Sequence, residues 1–268
     1  MDATPGDLAT ALKDKAVTLC LLERTDQALP LLNKVIQRHQ YSRDTQEKAA
    51  VDKCLYNKAF LLNAVGSRDE AIALYDKIAT RNAPPVDIES RQLLAQSFLN
   101  KGQIAESKGT EEALAEAITC YELVIRTRDK YDDPMLNELA AKSMLYEAFA
   151  RFAIHRGFVQ TVSWWGRRSI FKRLDRAIIL LAEFPHDSDS SLLLAARAFA
   201  MKAHLLGLFG NARKSDKFKR LETIALKFGA ARAKRIVSFM EAEHNLESLA
   251  AFTGTKSMGI VLRDESGL

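Results

Sequence analysis

The stretch that decides the fold is LYNKAFLLNAVG at residues 55–66, because a related stretch, FLNKGQIAESKG, follows at residues 98–109. The small residue after the lysine is Ala59 in the first stretch and Gly102 in the second, 43 residues further on. The same spacing leads back to Ala16 in LKDKAVTLCLL. A fixed period of about 20 to 50 residues is typical of solenoids. We therefore predict a chain built from repeated structural units.

Each period contains two helical patterns separated by a break. Residues 51–65 carry Leu55 and Ala59 at helical spacing, and residues 69–80 resume the pattern after a glycine-serine break. Neither helix can bury its apolar stripe alone, so the resulting hairpins must stack on one another. The pattern predicts an all-α fold with almost no β-structure before residue 253.

Four positions of the hairpin form a recognisable signature. It begins with a small residue, Ala59, and an alanine twelve positions later, Ala71. An aromatic residue, Tyr75, follows after four positions, and an aliphatic residue, Ile78, after three more. This pattern resembles the tetratricopeptide repeat, which is usually about 34 residues long. The match covers residues 8–130 and is degenerate after residue 130. We attribute the greater repeat length here to extra residues between hairpins.

The resemblance implies a right-handed superhelical solenoid of about five stacked hairpins. Tyr75 and Tyr121 are each expected to fill the space between their own hairpin and the next. A helix over residues 229–252 is expected to cap the array. The predicted repeat domain thus spans residues 1–252, and residues 253–268 form a flexible tail or linker.

Composition and cysteine usage are typical of a cytoplasmic protein. No segment approaches the roughly 20 consecutive apolar residues that span a membrane, and the N-terminus lacks a signal-peptide pattern. Cys20, Cys54 and Cys120 are odd in number, lie among apolar residues and form no CxxC pair. We expect reduced core residues rather than disulfides or a zinc site.

Charge is unevenly distributed along the chain. Residues 1–150 hold 19 Lys and Arg against 23 Asp and Glu, and the remainder holds 20 against 11, so the two parts carry −4 and +9. The excess is densest between Arg213 and Arg235. Such a segment could attract nucleic acid or an acidic partner. The alternative interpretation is a solvated helix face, since no aromatic stacking motif accompanies the charge.

No catalytic constellation stands out. The chain lacks GxxxxGK[ST], GxGxxG, HExxH and GxSxG, so we expect neither enzymatic activity nor a cofactor. The nearest approach to a metal site is His186-Asp187-Ser188-Asp189-Ser190. Because a loop that ends one helix and caps the next uses the same residue types, we interpret this segment as structural.

The resemblance also implies a binding surface, the concave face lined by the first helix of each hairpin. Register selects positions six and three before the small residue, and one and four after it. These are Lys53, Tyr56, Phe60 and Asn63, then Gln96, Leu99, Gln103 and Glu106, then Lys142, Leu145, Phe149 and Phe152. Aromatic anchors and amides of this kind suit an extended or helical partner segment. The alternative, which applies most strongly to Phe60 and Phe152, is that some of these aromatic residues pack between hairpins.

A second candidate contact lies between Gly157 and Arg173, inserted between the two helices of the fourth hairpin. It holds both tryptophans, Trp164 and Trp165, beside Arg168 and other cations. Aromatic and arginine residues together are typical of interface hot spots. The alternative is that the tryptophans plug a widened hairpin.

These observations favour a non-enzymatic scaffold or adaptor that binds a partner segment in the concave groove. Nucleic-acid binding by the basic C-terminal half is one alternative. A sensor or adaptor subunit of a larger effector assembly is another.

Overall fold

The computed structural model describes residues 5–22, 24–85, 87–128, 133–154, 162–183, 189–211, 214–216, 218–220 and 223. Within these ranges the regular structure is α-helical and no strand occurs, as the periodicity predicts. The helices described are α1 (Pro5–Leu21), α2 (Thr25–His39), α3 (Thr45–Ala64), α4 (Arg68–Arg81), α5 (Ile88–Lys108), α6 (Glu111–Arg128), α7 (Pro134–Ile154), α8 (Trp164–Glu183) and α9 (Asp189–Leu208).

The chain divides into two compact units, residues 1–180 and residues 181–268. In the first unit α1 to α7 each pack on the next helix, so that α1–α2, α3–α4 and α5–α6 are antiparallel neighbours joined by short turns. The first helices also contact one another in succession, α1 with α3, α3 with α5 and α5 with α7. The helices therefore pack in sequence order.

The helix boundaries follow from capping residues. The Asp87 side chain accepts from the Ser90 amide at 2.7 Å and forms a capping box at the start of α5. The Asp44 side chain caps α3 by accepting from the Glu47 amide at 2.9 Å. Gly66 and Gly109 end α3 and α5 with φ of 91° and 71°, a conformation that side chains other than glycine rarely adopt. The break predicted at Gly66 is confirmed.

The expectation that the extra repeat length lies between hairpins is wrong. Helix α3 begins at Thr45 rather than near Val51, and α5 and α7 are 21 residues long, against 15 and 14 for α2 and α4. The added residues are mostly helical because Asp44 and Asp87 cap the first helices well before their apolar stripes begin.

The repeat signature marks the core. Ala59, Ala71, Tyr75 and Ile78 are all buried, and apolar residues of α5 complete their cluster. Tyr75 accepts a hydrogen bond at 3.1 Å from Asn100 of the following hairpin, so it lies between hairpins as predicted.

The next period is packed in the same way around Tyr121. Tyr121 is buried, and its ring centre is 5.7 Å from that of Tyr146 on α7. A Cβ at Gly102 would lie 2.6 Å from Tyr121 Cε1, so this repeat needs glycine where the others have alanine.

The second unit contains a turn of the same kind after α9. Ala203 is buried and Gly210 has a φ of 80°, matching Ala59 and Gly66. Ser215 stands twelve residues after Ala203, where the signature has alanine, and its hydroxyl donates to the Ala203 carbonyl at 2.8 Å. A small residue thus takes the place of the missing alanine. The predicted cap over residues 229–252 and the tail over 253–268 lie outside the described residues.

Candidate partner-binding surface

The four register positions of the first helices differ in exposure. The position directly after the small residue is the open one: Phe60 on α3 is 54% exposed and Phe149 on α7 is 45% exposed. Gln103 holds the same position on α5 and is half-buried. Two large aromatic side chains therefore face solvent at the same repeat position, one on α3 and one on α7, with α5 as the first helix of the hairpin between them.

The position three before the small residue does not belong to an open groove, which corrects the prediction for Tyr56. Leu99 and Leu145 are buried there. Tyr56 packs against the core, with its ring centre 6.0 Å from that of Tyr75, and its hydroxyl accepts from Asn100 Nδ2 at 3.0 Å. Burial raises the pKa of the Tyr56 hydroxyl. Tyr56 thus connects its own hairpin to the following one.

Two polar side chains of the predicted set, Lys53 and Gln96, contact the first helix of the following hairpin. Lys53 Nζ is 2.8 Å from Glu89 Oε2 on α5, and Gln96 Nε2 is 3.9 Å from Met135 Sδ on α7. The other members of the set, Asn63, Lys142 and Phe152, are half-buried.

A cavity of about 330 Å³ opens where α5 ends against α6 and α7. Its lining joins two predicted residues, Gln103 and Phe149, to residues from the helix end and from α6. The full lining is Gln103, Glu106, Ser107, Gly109, Leu114, Phe149 and Ala153. The cavity therefore combines an aromatic ring, an amide and a carboxylate.

Glu106 is the charged group of this cavity. Its Oε2 accepts a hydrogen bond of 2.6 Å from the Tyr121 hydroxyl. Burial raises the pKa of the Glu106 carboxyl, and the hydrogen bond from Tyr121 opposes this in part. No cation of the described residues lies within ion-pair distance of it.

A second, smaller cavity of about 130 Å³ lies among α6, α7 and α8, beside a buried ion network. Glu147 is fully buried, and its two oxygens lie 2.7 Å from Arg151 Nε and 3.0 Å from Arg173 Nε. Arg151 also donates to Glu122 at 2.7 Å. The sequence pattern missed this network; the only signal was Glu147 directly before the buried Ala148.

The tryptophan segment is helical over much of its length rather than a separate insertion. Residues 164–173 form the first half of α8. The Ser163 hydroxyl caps the start of this helix by accepting a hydrogen bond from the Gly166 amide. Trp165 is 72% exposed, so it does not plug the hairpin. Arg168 is exposed beside it. The Trp164 side chain and residues 155–161 lie outside the described part.

Little of the basic segment is described. Lys214, Lys219 and Arg220 are exposed, and Lys219 Nζ is 3.3 Å from Asp216 Oδ1. Most of the region between Arg213 and Arg235 lies outside the described residues, as does the centre of the loop at His186.

The described residues hold no group of three or more histidine, cysteine, aspartate or glutamate side chains placed to bind a metal ion. None of the helices among them is both long and apolar enough to cross a membrane. Cys54 and Cys120 are buried free thiols, whose pKa burial raises to about 12 and about 11, and Cys20 is half-buried. Cys54 and Cys120 thus lie in the core as expected, whereas Cys20 is only partly buried.

No protein-family model, curated protein or solved structure matches this chain in comparisons with known proteins. The resemblance to tetratricopeptide repeats rests on the chain's own residues.

Proposed function

We propose that this chain is a tetratricopeptide-like scaffold or adaptor without catalytic activity. Its hairpins would stack as a right-handed solenoid, and the first helices would present one surface to a segment of a partner protein. The helices of the first unit pack in sequence order, which is the arrangement that such a solenoid requires.

The observation that carries the proposal is the exposure of Phe60 and Phe149 at one register position. Soluble proteins bury most large aromatic side chains, and aromatic residues are enriched at interfaces. Gln103 at the same position on α5 supplies an amide between them that can bind a partner's backbone.

The test starts from a partner that the chain retains at high salt and that mass spectrometry identifies. Phe60→Ala and Phe149→Ala should each weaken binding of the purified partner by about 1–3 kcal/mol, as central anchors do. Calorimetric titration measures this loss. The helical signal should not change, because the two rings are 54% and 45% exposed and contribute little to the core.

Tyr41→Ala is the matched control, since Tyr41 is 88% exposed and lies between α2 and α3. Equal losses from Tyr41→Ala and the two phenylalanine variants would show that the register position has no special role. Unchanged binding in both phenylalanine variants would refute the groove.

The second candidate function is nucleic-acid binding, which one feature of α8 favours. Trp165, Arg168, Lys172 and Arg176 are all exposed and follow one another at intervals of three and four residues, so they share one helix face. A ring beside a row of cations suits a single strand, because bases stack on aromatic rings and phosphates pair with cations. Two results would favour this function over the scaffold. The affinity for single-stranded nucleic acid should fall steeply as salt is added, and it should fall further when Lys172 and Arg176 are replaced by acidic residues.

A further inference from the structure

Three features of the cavity between α5, α6 and α7 each favour a bound positive charge. The first is the Glu106 carboxylate, which no described cation neutralises. The second is the end of α5, where Gln103, Glu106 and Ser107 form the last turns before the left-handed Gly109. The carbonyls at a helix C-terminus carry a partial negative charge that stabilises nearby cations.

The third feature is the ring of Phe149, which lines the same cavity and is 45% exposed. The face of an aromatic ring attracts a cation through its quadrupole. Carboxylate, helix end and ring thus all favour a positive charge in one place.

The rest of the lining is apolar. Leu114 and Ala153 stand with Phe149 in the cavity wall, and the volume of about 330 Å³ lies at the lower end of the range of ligand pockets. A ligand that fits must therefore combine a positive head with an apolar stem. Lysine and arginine side chains have this construction, since their methylene groups pack on apolar surface while the charge reaches a polar partner.

The cation nearest in sequence does not fill the site. Lys108 ends α5, but its Nζ lies 3.6 Å from Asp69 Oδ1 on α4. On the other side of Gly109, Glu111 and Glu112 are exposed at the start of α6 and add to the negative charge.

We propose that this cavity binds a lysine or arginine side chain of the partner segment, with the charged head at Glu106 and the stem on Phe149. The inference rests on the proposed scaffold function and adds the chemistry of the partner to it. A purely apolar side chain would desolvate the carboxylate without supplying a counter-charge, and an acidic one would be repelled.

The test uses the full-length ¹⁵N-labelled chain and small probes in place of the partner. N-acetyl-arginine methylamide and N-acetyl-lysine methylamide should shift the amide signals of residues 103–109 and 149–153. Single side chains bind weakly, with Kd values of about 1 mM or more, so the titration should extend to about 20 mM. N-acetyl-glutamate methylamide is the acidic control and should shift none of these signals.

Two variants assign the binding to the cavity. Glu106→Gln should weaken binding of the basic probes by about tenfold or more, which corresponds to the loss of one partly buried ion pair. Phe149→Leu keeps an apolar wall without the ring and should weaken it about two- to fivefold. Glu70→Gln removes an exposed carboxylate of α4 and should change nothing.

Several results would overturn the inference. These are the absence of shifts at the cavity with either basic probe, equal binding of the acidic probe, and equal effects of Glu106→Gln and Glu70→Gln. If the Glu106→Gln chain fails to fold, the site is tested by comparing the binding of the basic probes to Phe149→Leu and Glu70→Gln. Equal binding by these two variants would then overturn the inference.

The scaffold proposal is tested separately by Phe60→Ala. Its failure alongside binding of the basic probes would leave the cavity site standing. Partner binding that depends on Phe60 but not on Glu106 would leave the scaffold standing without this site.

Discussion

At the scale of single residues, tyrosines of α3 and α4 connect one hairpin to the next. Asn100 Nδ2 donates to both Tyr56 and Tyr75, at 3.0 Å and 3.1 Å, so one amide on α5 holds side chains of α3 and α4. Burial raises the pKa of the Tyr75 hydroxyl above its ordinary value. Two tyrosine rings, one fully buried and one partly buried, thus connect these hairpins through a shared polar partner.

This arrangement predicts different costs for two changes at Tyr75. Tyr75→Ala should lower the free energy of unfolding by about 3 kcal/mol, because a fully buried ring is lost and a cavity remains. Tyr75→Phe keeps the ring and leaves Asn100 bonded to Tyr56, so it should cost about 1 kcal/mol. Urea unfolding followed by circular dichroism measures both. Similar costs for the two variants would mean that the ring packs less tightly than its burial indicates.

At the scale of helices, α6, α7 and α8 are tied by charge as well as by apolar packing. Glu147 is fully buried on α7 between Arg151 and Arg173, whose side chains are about one-third and one-quarter exposed. The arginines can therefore reach water when the carboxylate is removed, whereas the carboxylate cannot do so when the arginines are removed. This asymmetry determines which change destabilises more.

We expect the double change Arg151→Met and Arg173→Met to cost about 3 kcal/mol or more, because it leaves a buried carboxylate without a partner. Glu147→Gln should cost less, about 1–2 kcal/mol, since each arginine keeps contact with water and Arg151 keeps Glu122. Thermal unfolding of the two variants gives the comparison.

Arg126→Met is the control for this pair of variants. Arg126 is 71% exposed and 3.6 Å from Glu122, so its loss should change stability by no more than about 0.5 kcal/mol. A larger cost for Glu147→Gln than for the double arginine variant would contradict the account.

At the scale of the whole molecule, the first unit is built from near neighbours in sequence. In the described part of the chain, extensive helix contacts join helices that are one or two positions apart, such as α3 with α5 and α5 with α7. Stability in such an arrangement is close to a sum of local and nearest-neighbour contributions. A local defect should therefore stay local.

Tyr75→Ala should accordingly speed amide exchange in α3, α4 and α5 and leave the protection of α7 close to that of the unmodified chain. Hydrogen exchange followed by mass spectrometry resolves these helices, with Tyr41→Ala as a control in which no helix changes. Uniform loss of protection from α1 to α7 would show that the unit unfolds as one cooperative body and not as stacked repeats.

Much of the architecture was determined by the sequence alone. The period of 43 residues, the helical spacing and the break at Gly66 predict helices that pair in chain order, because burial periodicity and helix breaks are local properties of the chain. The small residues and tyrosines of the signature were correctly assigned to the core for the same reason.

Only the tertiary structure decided which side chains of the first helices face solvent. Tyr56 and Phe60 are four residues apart on one helix, yet one packs in a joint and the other is exposed, since the neighbouring helix α5 covers Tyr56 through Asn100. The cavity at Glu106 and the buried charge of Glu147 likewise depend on residues from two or three helices meeting. A repeat pattern specifies which stripe of each helix is apolar. The angle at which neighbouring helices cross decides which side chains of that stripe are buried and which stay exposed to solvent.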